Sequence, residues 1–171
     1  MAVDIPELDQ PGNAGLLRSS WFPLVISDEC PFKVILLLAA SNAVAINYKP
    51  YASCDLVQLH TNAIKAINNA FDSSEKRVCD ALIGAVAKMA SFEAMHGDIT
   101  SYRIHMEGLC KMIGLRGGLN QLGLDGLLRR IVVWIDINSS FLLQTPRYFP
   151  QDGFAVGEVW GEPNPERFIA P

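Results

Sequence analysis

Two adjoining stretches decide the fold of this chain: residues 105–119, HMEGLCKMIGLRGGL, and residues 120–136, NQLGLDGLLRRIVVWID. Apolar residues recur every three or four positions up to Gly117-Gly118, and the same spacing resumes after a short polar segment. Glycine readily takes the left-handed conformation that closes a helix, so a double glycine marks a helix end. The two stretches therefore predict a helix, a turn and a second amphipathic helix.

The same periodicity predicts an all-α fold, with five main helices packed as an irregular antiparallel bundle. Ser27 or Asp28 can cap the first helix, and Asp98 can cap the fourth. We expect the helices at about 28–47, 54–72, 74–94, 99–117 and 125–143, with a short helical or turn segment at 119–123. The first of them is apolar nearly all round, so we expect it to be central.

Breaker residues divide the chain into three parts. We expect residues 1–26 to be an extended lead-in, residues 27–150 to be one helical domain, and residues 151–171 to be an irregular tail rich in glycine and proline. The length of 171 residues suits one domain, and 50% hydrophobic residues allow a substantial core.

The composition argues against several classes of protein. A net charge of −4 does not favour neutralisation of DNA phosphates by this chain. The acidic, proline-containing start is unlike a secretory signal, and the apolar segment at 34–46 is shorter than the ~20 residues of a membrane span. We therefore expect an intracellular chain without a membrane contact. Its four widely spaced cysteines are best interpreted as small buried hydrophobic residues.

Several motifs recur in a fixed order: HTNAIKAI at 60–67, CDALIGAV at 79–86, EAMHGD at 93–98, the run at 105–119, the helix carrying Trp134 and Asp136, and TPRYFP at 145–150. In this order and spacing, residues 50–150 resemble the fungal-specific transcription factor domain. That domain is the helical regulatory region that follows a zinc-cluster DNA-binding module in many fungal regulators.

The resemblance implies a role in transcription regulation in the nucleus, exercised by binding a protein partner, a second copy or a small effector. The chain lacks the closely spaced cysteines of a zinc cluster, so no direct nucleic-acid contact is expected. The domain in relatives usually extends further, which predicts uncovered apolar faces here. The residues expected to define the architecture are His105, Gly108, Leu109, Arg116, Gly117, Gly118, Leu119, Leu127, Trp134 and Asp136.

No motif predicts catalysis, a metal or a cofactor. His105 and Cys110 are five residues apart, so they point to different sides of a helix and form a poor metal pair. No nucleophile elbow, phosphate loop or dinucleotide fingerprint is present. Two alternatives stay open at this point: a helical module that binds a small molecule without any link to DNA, and a small enzyme that uses a cysteine and a histidine.

The polar residues inside apolar helices suggest packing contacts. Asp136 is expected to pair with an arginine of a neighbouring helix, and Glu93, His96 and His105 are expected to satisfy one another near a turn. Gly108 is expected to mark a close approach between helices, because glycine otherwise costs about 1 kcal/mol inside a helix. Arg116, Arg129 and Arg130 form a small basic cluster, of which one of the last two must face solvent.

Overall fold

The computed structural model describes residues 8, 15–46, 55–73, 78–150 and 162–164. These residues form an all-α bundle, and no strand occurs among them. The predicted fold class is confirmed, with six α-helices instead of five. They are α1 (Phe22–Ser27), α2 (Glu29–Ala45), α3 (Leu56–Asp72), α4 (Asp80–His96), α5 (Ile99–Arg116) and α6 (Leu127–Leu143).

Aspartate side chains cap the starts of three of the helices. The Asp28 carboxylate accepts the N–H of Cys30, Asp55 accepts that of Gln58, and Asp98 accepts those of Thr100 and Ser101. These bonds satisfy amide groups that have no partner inside the helix. The predicted caps at Asp28 and Asp98 are confirmed.

Helix α4 begins later than predicted. Its first residue is Asp80 and its N-cap is Cys79, whose sulfur lies 3.5 Å from the amide nitrogen of Leu82. The predicted start at Ser74 lies outside the described residues, and Val78 precedes the helix instead of contributing to its apolar stripe.

The expectation of an extended lead-in over residues 1–26 is wrong for residues 17–26. A π-helical turn, Leu17–Trp21, runs directly into α1. The side chains of Trp21 and Val25 are buried in the core. This tertiary packing stabilises the helical conformation of the segment, which the local sequence does not predict. Most of the tail at 151–171 lies outside the described residues.

Helix α4, not α2, is the centre of the bundle. It contacts α2, α3, α5 and α6, and 13 of its 17 residues are buried. Helix α2 buries only six of 17 and leaves one face exposed, so the prediction that it is central is wrong. Alanine and glycine occupy much of α4, and small side chains allow neighbouring helices to approach from several sides.

The double glycine ends α5 as predicted. Gly117 has φ +98° and Gly118 has φ +102°, and the Gly118 N–H donates to the carbonyl of Ile113 at 2.8 Å. This is the left-handed helix end that glycine favours. A short 3-10 helix, Leu119–Gln121, leads towards α6, which ends at Leu143 and has Gln144 as its C-cap just before Thr145-Pro146.

Candidate interaction surface and its polar anchors

Asp136 holds the end of α6 in place. Its carboxylate is fully buried and accepts three hydrogen bonds: from Arg147 Nε at 3.2 Å, from the Tyr148 N–H at 2.9 Å and from the Phe149 N–H at 3.0 Å. A buried charge requires such partners. The expected arginine is therefore found, but it lies in the segment after α6 and not on a neighbouring helix.

Glu93 joins three helices. Its side chain is 4% exposed, and Oε1 lies 2.8 Å from His60 Nε2 on α3 and 4.0 Å from His105 Nε2 on α5. Burial lowers the pKa of His105; the Glu93 carboxylate raises it and His60 lowers it further. His96 is not part of this group, because its Nε2 lies 3.3 Å from Asn42 Oδ1 on α2. His60 is the partner that the sequence did not indicate.

Arg116 connects the end of α5 to the start of α4. Its guanidinium lies 3.0 Å from Asp80 Oδ1 and donates to the carbonyl of Val78 at 2.6 Å and to that of Gln121 at 3.3 Å. Arg130 on α6 is buried, and Arg129 is half-buried. The three arginines therefore do not present a common basic surface.

The close approach expected at Gly108 is found at Gly84 instead. A Cβ at Gly108 would meet nothing within 4 Å, whereas one at Gly84 would stand 2.6 Å from Trp21 Cζ3 and 2.7 Å from Cη2. Atoms cannot stay so close, so Gly84 lets the tryptophan of the π-helical turn pack on α4. Of the other expected architectural residues, Leu109, Leu119, Leu127 and Trp134 are buried in the core.

The described residues give little support to a nucleophilic cysteine or a metal centre. Burial raises the pKa of the Cys110 thiol to about 11, which opposes formation of the reactive thiolate. Within the described part of the chain, no three histidine, cysteine or acidic residues are grouped so that they could hold a metal ion.

A cleft of about 190 Å³ lies beside the chain exit from α6, lined by Tyr102, Arg103, Thr145, Pro146, Arg147 and Tyr148. Sites for small ligands usually measure about 300–1,000 Å³. Arg147 is held by Asp136, and Tyr102 is buried with its ring edge-on to that of Tyr148 at 6.1 Å. The cleft is small, and the guanidinium of Arg147 is engaged by Asp136 and by the carbonyl of Phe149.

The outer side of α2 carries a row of apolar residues, three of them large and exposed. The residues of this row, at positions 32, 36, 39, 43 and 46, are separated by four, three, four and three positions. This spacing keeps them on one side of a helix. Phe32 is 49% exposed, Leu36 41% and Ile46 63%. The α2 stripe, as we name it, consists of Phe32, Leu36, Ala39, Ala43 and Ile46.

The α2 stripe itself contains no charged residue. Residues 34–46 contain no acidic or basic side chain, and the only charged residues of α2 are Glu29 and Lys33, which pair with each other at 2.5 Å. A helix with a solvent-facing side normally carries charged residues there. An uncharged apolar outer face over more than three turns makes α2 a candidate contact surface.

A profile of the fungal specific transcription factor domain matches residues 11–156 of the chain. The chain belongs to this family. The matched range covers the π-helical turn, all six helices, the Glu93 group and the Asp136 contacts. No curated protein and no solved structure matches the chain.

Membership of the fungal specific transcription factor domain family supports a role in transcription regulation, as the sequence predicted. No helix in the described part of the chain is long and apolar enough to cross a membrane. The family match begins at residue 11, before the first α-helix of the described residues.

Proposed function

We propose that this chain is a nuclear regulatory domain that acts by binding a protein through the α2 stripe, without catalysis and without a DNA contact of its own. The uncharged, exposed α2 stripe is the observation that carries the proposal. Apolar surface buried against a partner contributes roughly 25 cal/mol per Å², so such a face favours association. The net charge of −4 is unsuited to a phosphate backbone.

A protein partner fits the surface better than a small effector does. The cleft near Arg147 has a volume of about 190 Å³, below the usual range for ligand sites, whereas the α2 stripe runs the length of a helix. Helix faces with apolar residues at three- and four-residue steps are a common way for proteins to recognise one another.

The test is a reporter assay with the chain fused to an unrelated DNA-binding domain. We expect the fusion to change reporter expression relative to the DNA-binding domain alone, and Leu36→Glu to abolish most of that change. Val57→Glu is the matched control, since Val57 on α3 is 76% exposed and outside the α2 stripe. Equal abundance is checked by immunoblot. An unchanged effect in Leu36→Glu, or no effect of the parent fusion, contradicts the proposal.

A further inference from the structure

We infer that α6 carries, at Asn138, a binding site for an extended peptide segment whose single N–H lies between two prolines. Residues 162–164, which we name the strap, occupy this site within the chain, and a segment of the same chemistry from another protein can replace them. The inference goes beyond the proposed function, because it concerns a second surface, on α6 instead of α2. The bond between Asn138 and Asn164 is its starting point.

The Asn138 side chain is oriented to receive one N–H group. The residue is 2% exposed, and its Nδ2 donates to the carbonyl of Trp134, one turn earlier in α6, at 2.8 Å. This bond fixes which end of the amide is the donor, so Oδ1 is left as an acceptor. Oδ1 accepts the backbone N–H of Asn164 at 2.7 Å. Because a buried acceptor without a donor is costly, the site favours an occupant.

The strap has a sequence that suits this acceptor. Asn164 stands between Pro163 and Pro165, and proline has no N–H, so Asn164 supplies the only backbone N–H of the three residues. A proline also fixes its own φ and keeps the residue before it out of the helical region. The segment is therefore extended before it binds, and the entropic cost of its binding is small.

An exposed aromatic residue adjoins the acceptor. Phe141 and Leu142 follow Asn138 by three and four positions, which places all three on the same side of α6. Phe141 is 59% exposed and Leu142 is 42% exposed. Proline-rich segments bind in aromatic-lined grooves, where their preformed extended conformation lowers the cost of binding. This side of α6 therefore offers a hydrogen-bond acceptor and an apolar platform next to each other.

The site is separate from the contacts that hold the chain exit. Asp136 lies two positions before Asn138, so the two side chains point to different sides of α6. Asp136 binds residues 147–149, and these bonds do not involve the strap. A segment tethered to its site acts at an effective concentration of roughly millimolar. An external segment that is more concentrated, or that also contacts Phe141, should therefore displace the strap.

The first test supplies the segment as a separate peptide. Asn164→Pro removes the N–H and keeps the segment extended, whereas Asn164→Ala keeps the N–H and is the matched control. The probe is a hexapeptide with blocked ends, Gly-Glu-Pro-Asn-Pro-Glu, titrated into the isotope-labelled full chain and followed by NMR. We expect a dissociation constant on the order of 1 mM for Asn164→Pro. Binding should be several times weaker for the parent and for Asn164→Ala, where the strap competes.

A second peptide, Gly-Glu-Pro-Pro-Pro-Glu, lacks the N–H. We expect it to bind Asn164→Pro about tenfold more weakly, the effect of one hydrogen bond to a buried acceptor. Equal affinities of the two peptides overturn the inference. So does the absence of binding by the first peptide at about 10 mM, well above the effective concentration of a tethered segment. Equal binding by the parent and Asn164→Pro would mean that the strap does not occupy the site.

The aromatic platform and the strap have their own tests. In the Asn164→Pro background, Phe141→Ala should weaken peptide binding several-fold, and Leu115→Ala, at a residue of α5 that is 79% exposed, should not. Equal affinities of these two variants overturn the role of Phe141. In the parent, hydrogen exchange of the Asn164 amide should be about tenfold slower than in the free hexapeptide. Exchange at the rate of the free peptide overturns the strap.

Discussion

Helices α2 and α6 each span 17 residues, and both are apolar over most of their length, but their surroundings differ. Helix α6 buries 13 of its residues, among them Arg130, Asp136 and Asn138, whereas α2 buries six and exposes Phe32 and Leu36. The helix with more polar residues is therefore the better covered one.

The comparison shows that hydrogen bonds can fix the position of a helix, whereas high hydropathy predicts only that the helix will be buried. Asp136 accepts three hydrogen bonds from residues 147–149, and the side-chain Oδ1 of Asn138 accepts the backbone N–H of Asn164 at 2.7 Å. Each bond requires one geometry. The outer face of α2 presents apolar side chains, and no described residue covers it fully. This face is therefore accessible to a partner.

Removal of the Asp136 carboxylate should have the largest effect. Asp136→Ala removes the acceptor of the Arg147 Nε–H, of the half-buried Tyr148 N–H and of the buried Phe149 N–H, so we expect a loss of about 3–5 kcal/mol in the free energy of unfolding. Urea denaturation followed by circular dichroism measures it. Asp72→Ala, at an exposed site, should stay within about 0.5 kcal/mol. Similar midpoints for both variants would mean that the carboxylate does not hold α6.

A pair of leucines compares the two helices directly. Leu128 on α6 is fully buried, and Leu36 on α2 is 41% exposed. We expect Leu128→Ala to lower the free energy of unfolding by about 2–5 kcal/mol, and Leu36→Ala by much less. Thermal melts at about 1 μM keep self-association out of the measurement. Equal losses at this concentration would show that the α2 stripe is covered within a single chain.

A pair of glycines tests how the π-helical turn packs on the central helix α4. Gly84→Ala places a methyl group against the Trp21 ring, so we expect a loss of about 1–3 kcal/mol from overpacking. Gly108→Ala meets no neighbour and should instead stabilise α5 by up to about 1 kcal/mol through helix propensity. Both are read from urea midpoints. The same sign of change in the two variants would refute the contrast between these sites.

The features that the sequence predicted correctly depend on neighbours in the chain. Asp98 caps α5 through amides two and three residues away, and Gly117 ends the same helix through its own φ. Contacts between near neighbours in the chain can be predicted from the sequence without knowledge of the fold. The all-α class follows in the same way from apolar spacing over each helix.

The features that the sequence did not predict depend on residues brought together by the fold. Gly84 requires Trp21, and Glu93 requires His60, 33 positions away on another helix. No rule of sequence spacing connects such pairs. The sequence therefore predicts a close approach at Gly108, whereas the fold has it at Gly84. The central position of α4 was missed for the same reason, since the hydropathy of α2 does not show which of its faces is covered.

The smallest predicted effect is a pH dependence at the Glu93 group. Burial holds the pKa of His105 below 6.5 in the folded state, with Glu93 raising it and His60 lowering it. The unfolded chain therefore takes up this proton first as the pH falls, so stability should decrease from pH 7 through 6.5 towards 5.5. His96, whose pKa burial also lowers, adds to the same slope.

The measurement is the melting temperature at about 1 μM, at half-unit steps of pH. His105→Gln should reduce the slope of melting temperature against pH, because glutamine stays neutral. His96→Gln should remove the separate contribution that His96 makes to this slope. Neither histidine contacts Leu36 through a hydrogen bond or ion pair in the described part of the chain; His96 contacts Asn42, near the C-terminal end of α2. The slope should therefore be the same in Leu36→Glu. A slope unchanged in His105→Gln would place the sensitive proton elsewhere, and a slope lost in Leu36→Glu would couple the Glu93 group to the exposed face of α2.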